Sequence, residues 1–387
     1  MIHDVNPALM QEIRRHGKGR RLEVESCFQC GNCTAVCPLA QDSAGFPRRA
    51  IRMAQVGMER ELLASEDLWR CYACGECTRT CPREADPAEF MAAARSYAIA
   101  RYDFTGLASL ASRSVMGNLL VFGVLSTLFA LLLLSRATPA SAHLPFFDFI
   151  PGEWVHAIGI FLFAVVGLSL AAGLVSMVLR FRSERRREGI SLRLAALPAA
   201  AVFAVAEALT HRRFRQCNSE EPAPAPQPWY RRPWVVHLSV MGGFVAMLLA
   251  TTLDYLLKPI GSPVPPWYPM RVMGAVGGLI CLYGLAIMLF RAEPDSEAHW
   301  RRRTFADWFF PVLLAVTVLT GLLTEILVYL PMTAAGHAVF FTHVVLAMDL
   351  VAMLPLTRFA HVLYRPLALA LFAWRHAPEP HTAIAEA

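Results

Sequence analysis

The chain is 387 residues long, and 56% of its residues are hydrophobic. With a mean hydropathy of +0.42, this composition is too apolar for an ordinary soluble protein and indicates a membrane protein of two or three domains. The formal net charge of +6 comes from arginines in the loops between apolar runs. We therefore expect contacts with membrane lipid or an acidic partner, and no nucleic acid.

Two copies of one cysteine pattern occur near the N-terminus. Each copy reads C-x2-C-x2-C-x3-C-P, which is the ligand spacing of bacterial-type iron–sulfur clusters. Eight of the ten cysteines belong to these copies, so coincidence is a negligible explanation. The eight are Cys27, Cys30, Cys33, Cys37, Cys71, Cys74, Cys77 and Cys81. The sequence therefore predicts two [4Fe-4S] clusters.

The fourth cysteine of such a run ligates the other cluster. We therefore expect two crossed ligand sets, with Cys27, Cys30, Cys33 and Cys81 at the first cluster and Cys71, Cys74, Cys77 and Cys37 at the second. Zinc fits poorly, because closed zinc sites usually take two separated pairs of ligands. Disulfides need an oxidising compartment, and residues 1–21 contain no apolar stretch of the kind that a secretory signal requires.

The rest of residues 1–114 is expected to be an α-helical ferredoxin domain. Between the cysteine runs, Ile51, Ala54, Met58 and Leu62 follow a helical spacing, and no alternating strand pattern interrupts them. Pro87 opens a further helical segment that leads toward the membrane. The predicted fold class is therefore all-α.

Apolar runs beyond this domain are long enough to cross a bilayer, which takes about 20 residues each. They predict a six-helix transmembrane bundle with spans at 115–134, 154–179, 235–257, 270–290, 308–330 and 337–362. The arginine-rich loops 180–234 and 291–307 fall on one side. By the positive-inside rule, the cluster domain and the C-terminus lie on the cytoplasmic side of the inner membrane.

The apolar segment 190–210 is not counted as a span. Basic clusters flank it on both sides, so a single crossing would put one of them on the wrong side. We expect it to lie along the membrane surface or to pack under the bundle. The predicted domains are 1–114 for the clusters, 115–181 for two spans, 182–234 for an interfacial helix and a Pro-rich linker, 235–376 for a four-helix transmembrane unit and 377–387 for a tail.

Histidines at membrane depth are costly without a partner, so those in the spans are functional candidates. His343 and His361 are 18 residues apart, which is five turns, or about 27 Å, along one face of a continuous helix. This geometry suits two haems stacked across a membrane. His237 matches His361 in depth, so the two predict a haem on the cytoplasmic side.

The second haem would use His343, and its other ligand is left open. His156 begins the second span on the correct side, whereas Met247 lies ten residues after His237; we rank His156 first. The alternative is that these histidines are interfacial groups bonded to lipid or to carbonyls. Three histidines at matched depths, beside clusters that need an onward acceptor, favour haem ligation.

Five further residues are weighed as candidates. His211 and Cys217 lie in a charged segment, where contact with a partner subunit is favoured over ligation. Arg271, Asp254 and Glu325 lie near the outer ends of spans and could line a quinone pocket. For Arg271, snorkelling to the interface is the favoured alternative.

Several segments resemble known families. SCFQCGNC, PRRAIRMAQVG and LWRCYACGECTRTCPRE resemble the iron–sulfur subunit (C) of heterodisulfide reductase. VVHLSVMGGF and FFTHVVLAMDLVAMLPLTRFAHVLYRPL resemble the haem b (gamma) subunit of respiratory nitrate reductase. The fusion of both modules is similar to the membrane subunits of quinone-interacting membrane-bound oxidoreductase complexes. The resemblance implies haem ligation by His237, His361 and His343, although Met247 stands where the nitrate reductase family has its fourth histidine.

The resemblance also implies a quinone site beside the outer haem and cytoplasmic flavin/iron–sulfur subunits resembling the flavin-containing subunit (A) of heterodisulfide reductase. Such a chain would relay electrons between the quinone pool and these subunits, in sulfur metabolism linked to adenylylsulfate reductase. No nucleophile or acid–base dyad is expected. The alternatives are a membrane subunit of a heterodisulfide reductase-like complex and a haem-less membrane anchor for soluble redox subunits.

Overall fold

The structure, a computed structural model, describes residues 5–17, 23–43, 45–138, 146–190, 193–217, 228–257, 264–290, 305–330 and 334–377. These residues form helices and their connections without a strand, which confirms the all-α prediction. The chain divides into two compact units. The first comprises Met1–Asn118, Gly167–Glu221 and Pro355–Ala387, and the second comprises Leu119–Val166 and Pro222–Leu354.

Short helices surround the two cysteine loops in the first unit. They are α1 (Leu9–His16), α2 (Asn32–Ala35), α3 (Arg48–Gln55), α4 (Glu59–Ala64), α5 (Asp67–Arg70), α6 (Glu76–Arg79), α7 (Pro87–Tyr102) and α8 (Leu107–Arg113). The helix predicted between the loops is split into α3 and α4 at Gly57. This residue has a φ of +76°, and a Cβ there would lie 2.6 Å from the carbonyl oxygen of Asn6. Only glycine accommodates that approach without strain.

Six helices among the described residues are long and apolar enough to cross a membrane. They are α9 (Val115–Leu134), α11 (Gly152–Arg187), α14 (Pro233–Leu257), α15 (Pro269–Phe290), α16 (Phe305–Leu327) and α17 (Ala334–Met353), and the short α10 (Phe146–Phe149) precedes α11. This number agrees with the prediction. α11 continues past its predicted end at residue 179, because arginines are good helix formers that extend the helix beyond its apolar part.

The last predicted span is not one helix. α17 ends at Met353, and a separate helix, α18 (His361–Arg375), begins after a turn. Pro355 lies at this break, where its ring and missing N–H are incompatible with a continuing helix. The prediction that His343 and His361 lie five turns apart on one continuous helix is therefore wrong.

The apolar segment after α11 forms α12 (Leu197–Thr210), which is followed by α13 (Arg212–Gln216). α12 is shorter than the helices that could span a membrane, and it packs against α18. The residues that α12 buries are Ala200, Ala204 and Glu207. Most of the predicted Pro-rich linker, the basic loop 291–304 and most of the C-terminal tail lie outside the described residues.

The C-terminal helix forms part of the core of the first unit. The Tyr364 ring stacks on Trp69 with centroids 4.9 Å apart, and it lies 5.4 Å from the ring of Tyr102. Gly173 of α11 closely approaches the Tyr364 hydroxyl, leaving no room for a Cβ. Segments distant in sequence thus assemble around the N-terminal cysteine loops.

Candidate functional site

Both cysteine loops have the same backbone form. In each loop, the residues on either side of the second cysteine adopt positive φ: 65° and 90° at Gln29 and Gly31, and 54° and 88° at Ala73 and Gly75. Left-handed residues alternating with others produce the nest-like backbone whose N–H groups surround anionic centres. The two sequence repeats are therefore also structural repeats.

Backbone N–H groups donate to cysteine sulfur in the second repeat. Ala73 N lies 3.3 Å from Cys71 Sγ, and Ala85 N lies 3.4 Å from Cys81 Sγ. Such hydrogen bonds stabilise anionic sulfur, and they are among the features that set the potential of an iron–sulfur cluster. These backbone donors therefore fit an iron–sulfur cluster held by the cysteines.

The thiols of the first set influence one another. Burial raises the pKa of Cys33, and the charges of Cys27, Cys30 and Cys81 raise it further. The first three cysteines of one motif and Cys81, the last cysteine of the other, are therefore electrostatic neighbours, as a crossed ligand set requires.

The second set shows the same relation. Burial raises the pKa of Cys77, and so do the charges of Cys71, Cys74 and Cys37, with a smaller effect from Cys33. Burial, together with the charges of Cys71 and Cys74, raises the pKa of Cys37 to about 12. Among the described residues, no three His, Cys, Asp or Glu side chains converge as they would around a single metal ion. The crossed assignment stays a prediction, based on spacing and on these neighbour relations.

Two arginines hold the second cysteine loop. The guanidinium of Arg95 donates to the Cys71 carbonyl at 2.6 Å, and that of Arg365 donates to the same carbonyl at 3.3 Å and to Arg70 O at 3.0 Å. Arg365 also lies 3.7 Å from the centroid of the Tyr72 ring. Sequence reasoning missed both arginines, although Arg95 is isolated in an apolar helix and Arg365 lies one turn after His361.

His361, at the start of α18, is oriented by its own backbone. Its Nδ1 lies 2.8 Å from the Arg358 carbonyl; because a carbonyl only accepts, Nδ1 must carry the proton, and Nε2 is the nitrogen that can bind iron. Burial lowers the pKa of His361 to about 4, and the charges of Arg365 and Arg95 act in the same direction. The imidazole is therefore neutral at pH 7, which is the form that ligates a metal.

His343, on α17 in the second unit, has the same arrangement. Its Nδ1 lies 3.0 Å from the Thr317 carbonyl and 3.2 Å from Thr320 Oγ1, both on α16. A Cβ on Gly321 would lie only 2.8 Å from His343 Cε1. Ligating histidines typically donate their other ring nitrogen to a carbonyl, so both histidines would fit a haem-ligating role.

The other predicted haem ligands belong to the second unit. His237 is exposed on α14, and Met247 is a half-buried residue packed against the apolar core of α15 and α16. His156 is exposed on α11, with its ring centroid 4.8 Å from that of Tyr255. The partner of His343 stays a prediction to be tested.

The segment with His211 and Cys217 differs from expectation. Each residue is only 4% exposed, buried within the first unit of the same chain. The expected contact with a partner subunit is therefore wrong for these two side chains. Among the other candidates, Arg271 forms an ion pair of 2.7 Å with Glu325, which ties α15 to α16.

Comparisons with known proteins identify the N-terminal part. Residues 23–85 match the family model described as a 4Fe-4S dicluster domain. This part is a 4Fe-4S dicluster domain. The iron–sulfur subunit (C) of CoB–CoM heterodisulfide reductase from Methanopyrus kandleri is 32% identical to the chain over 71 residues, which are 17% of this chain and 37% of that protein.

Two further relatives match the same part. The subunit (C2) of H(2)/formate:CoB–CoM heterodisulfide,ferredoxin reductase from Methanococcus maripaludis is 37% identical over 54 residues, which are 14% of this chain and 29% of that protein. The subunit (C) of the H(2):CoB–CoM heterodisulfide,ferredoxin reductase from Methanothermobacter marburgensis is 41% identical over 46 residues, 12% of this chain and 25% of that protein. The matches thus cover less than two fifths of each of these relatives.

Proposed function

We propose that this chain is the membrane electron-transfer subunit of a quinone-interacting oxidoreductase complex. It relays electrons between the membrane quinone pool and cytoplasmic flavin/iron–sulfur subunits, through haem b and two [4Fe-4S] clusters. The complex would serve sulfur metabolism linked to adenylylsulfate reductase. When bound, the clusters and haem supply one-electron steps, and the protein contributes their binding, orientation and electrostatic environment.

One observation carries the proposal: the proposed haem ligand His361 and the second cysteine loop share two arginines. Arg95 and Arg365 act electrostatically on the His361 imidazole, and both donate hydrogen bonds to the Cys71 carbonyl. All four residues belong to the first unit. This arrangement supports electron transfer between a haem bound at His361 and the second cluster.

The residues have distinct roles in this proposal. The crossed cysteine sets would hold the clusters, and His361 would be a ligand of the cytoplasmic-side haem, for which the sequence also predicts His237. His343 holds an outer haem, with His156 or Met247 as its second ligand. The carbonyls of Arg358 and Thr317 keep Nδ1 of His361 and His343 protonated, which leaves Nε2 as the ligating atom.

The cytoplasmic side of the inner membrane is proposed for the cluster domain. The last turn of α11 carries three consecutive arginines, Arg185, Arg186 and Arg187. Positive charge at a span end favours the cytoplasmic face. α12, in the same unit, exposes apolar residues, including Val202, Val205 and Leu209 at 57–68%, whereas it buries Ala200 and Ala204. This face supports contact with the lipid surface.

A second candidate function is the membrane subunit of a heterodisulfide reductase-like complex, in which electrons pass to a thiol–disulfide partner. The comparisons favour this candidate for the cluster domain, because the relatives at 32–41% identity are named as subunits (C or C2) of such reductases. Their matched segments do not include the membrane helices, so they bear on the clusters alone.

The test is a spectroscopic one on the complex purified from its native membrane. Reduced-minus-oxidised spectra should show a haem b band, and a quinol should reduce both haem and clusters. Absence of the haem band would leave only the anchor function, whereas reduction by a dithiol but not by a quinol would favour the second candidate.

Variants then test the ligands one by one. His361→Ala should remove the cytoplasmic-side haem, whereas His376→Ala, at the other end of α18, should leave it in place. An unchanged haem-to-protein ratio in His361→Ala would refute this ligand. His156→Ala and Met247→Ala, compared side by side, should show which residue completes the outer haem.

A further inference from the structure

A segment outside the cysteine motifs covers the second cysteine loop. It runs from Glu207, near the end of α12, to Cys217, just after α13. His211 makes the turn between the helices with a φ of +51°. His211 and Cys217 are buried, so these two residues anchor the segment in the core of the first unit.

Tyr72, between Cys71 and Cys74, anchors this segment to the second loop. Its ring stacks on Phe214 with centroids 4.7 Å apart and planes 8° from parallel. Its hydroxyl donates to Glu207 Oε1 at 2.5 Å. The segment is therefore held to the second loop at two points.

The same segment also contacts the chain that follows Cys37. Arg213 Nη2 lies 3.0 Å from Asp42 Oδ2, and Asp42 ends the 3-10 turn that begins directly after Cys37. Both stretches that supply the second ligand set, the loop of Cys71 to Cys77 and Cys37 itself, thus have the segment as a neighbour.

The Cys217 side chain reaches one of the proposed ligands. It lies within hydrogen-bonding reach of the Cys74 thiol, and Phe214, three residues earlier, stacks on Tyr72, two residues before Cys74. A thiolate that ligates iron can only accept a hydrogen bond, so in the loaded protein the Cys217 S–H must be the donor. Reduction adds one negative charge to a cluster, and a donor near its sulfur stabilises that charge more than it stabilises the oxidised form.

We propose that Cys217 is a positioning residue that raises the reduction potential of the second cluster by donating a hydrogen bond to Cys74 Sγ. The segment Glu207–Cys217, held by Phe214 and Arg213, keeps the donor in place. This proposal rests on the proposed assignment of Cys37, Cys71, Cys74 and Cys77 to that cluster. The proposal predicts that the two clusters differ in reduction potential, because of a residue outside the repeated cysteine motif.

The test is a redox titration of the full complex, followed by electron paramagnetic resonance. Cys217→Ala should shift the potential of the second cluster downward and leave the first cluster unchanged, with the iron content per chain unaltered. Cys217→Ser, which keeps a hydrogen-bond donor, should bring the potential of the second cluster most of the way back to its unaltered value. Cys281→Ala serves as the control, because Cys281 is equally buried but lies in α15 of the second unit. The signal of the second cluster is identified with Cys74→Ser.

The outcomes separate this proposal from the proposed function. Unchanged potentials in Cys217→Ala, or equal shifts of both clusters, would overturn the hydrogen-bond role. If both Cys217 variants lose one cluster while Cys74→Ser keeps that cluster unchanged, Cys217 is a ligand. This result would also overturn the hydrogen-bond role. Absence of a second cluster from the unaltered complex would instead refute the ligand assignment on which the proposal rests.

Discussion

Gly321 of α16 is the residue whose substitution should reveal most about His343. An added Cβ would lie 2.8 Å from His343 Cε1, 3.3 Å from Nδ1 and 3.4 Å from Nε2. Carbon atoms prefer separations of about 3.5–4.0 Å. In Gly321→Ala the imidazole must therefore move by roughly 1 Å, which also weakens its bond to the Thr317 carbonyl.

The loss of stability expected for Gly321→Ala is the sum of opposing effects. Overpacking costs about 1–3 kcal/mol, and the weakened hydrogen bond costs up to about 1 kcal/mol. Replacing glycine by alanine within a helix returns about 0.5–1 kcal/mol. Gly274→Ala on α15 is a matched control, since its Cβ would lie 3.6 Å from Ala250 Cβ, an ordinary contact. Because the helix-propensity gain is common to both variants, Gly321→Ala should be less stable than the control by about 1–4 kcal/mol.

The assay is thermal unfolding of both variants in the same detergent, followed by circular dichroism, together with their haem-to-protein ratios. Gly321→Ala should unfold at a lower temperature than Gly274→Ala and should lose the outer haem, because the ligating nitrogen is displaced. Equal unfolding temperatures and equal haem ratios would refute the argument that Gly321 is needed for the position of His343.

Three further predictions concern the first unit. Arg365→Gln should lower the potential of the second cluster, measured by redox titration, because a positive charge beside Cys71 is removed; an unchanged potential would contradict this. Although burial alone would raise it, hydrogen bonds from Tyr97 and Asn6 and the charge of Arg101 hold the pKa of Glu59 below its usual range. The stabilisation by Glu59 is therefore present above its unfolded pKa of about 4.5 and lost as pH falls through the folded pKa. Glu59→Gln should unfold at a lower temperature than wild type at pH 7, and this difference in unfolding temperature should shrink below pH 4. A difference that stays constant with pH would be evidence against this linkage. In liposomes, Val202→Cys on α12 should resist a membrane-impermeant maleimide that labels the exposed control Glu25→Cys, and equal labelling would argue against lipid contact.

Short sequence patterns were enough to predict two features of this protein, the dicluster domain and the membrane helices. The spacing of Cys27 to Cys37 and of Cys71 to Cys81 identifies the dicluster domain, because this spacing lets three thiolates of one short loop reach the same cubane cluster. The six apolar runs specify the membrane helices, because bilayer thickness sets their length. Both signals are contained in short windows of sequence, which is why they could be predicted.

Tertiary structure decided which distant segments meet. The periodicity of 337–362 predicts one helix, but the turn at Pro355 ends it and places His361 on a helix that packs into the first unit. Likewise Arg95, Arg365 and Cys217 meet at the second cysteine loop although they lie far apart in the chain. Their contacts depend on side chains brought together by long-range packing, and such contacts leave no periodic or spacing signal that a single sequence could reveal.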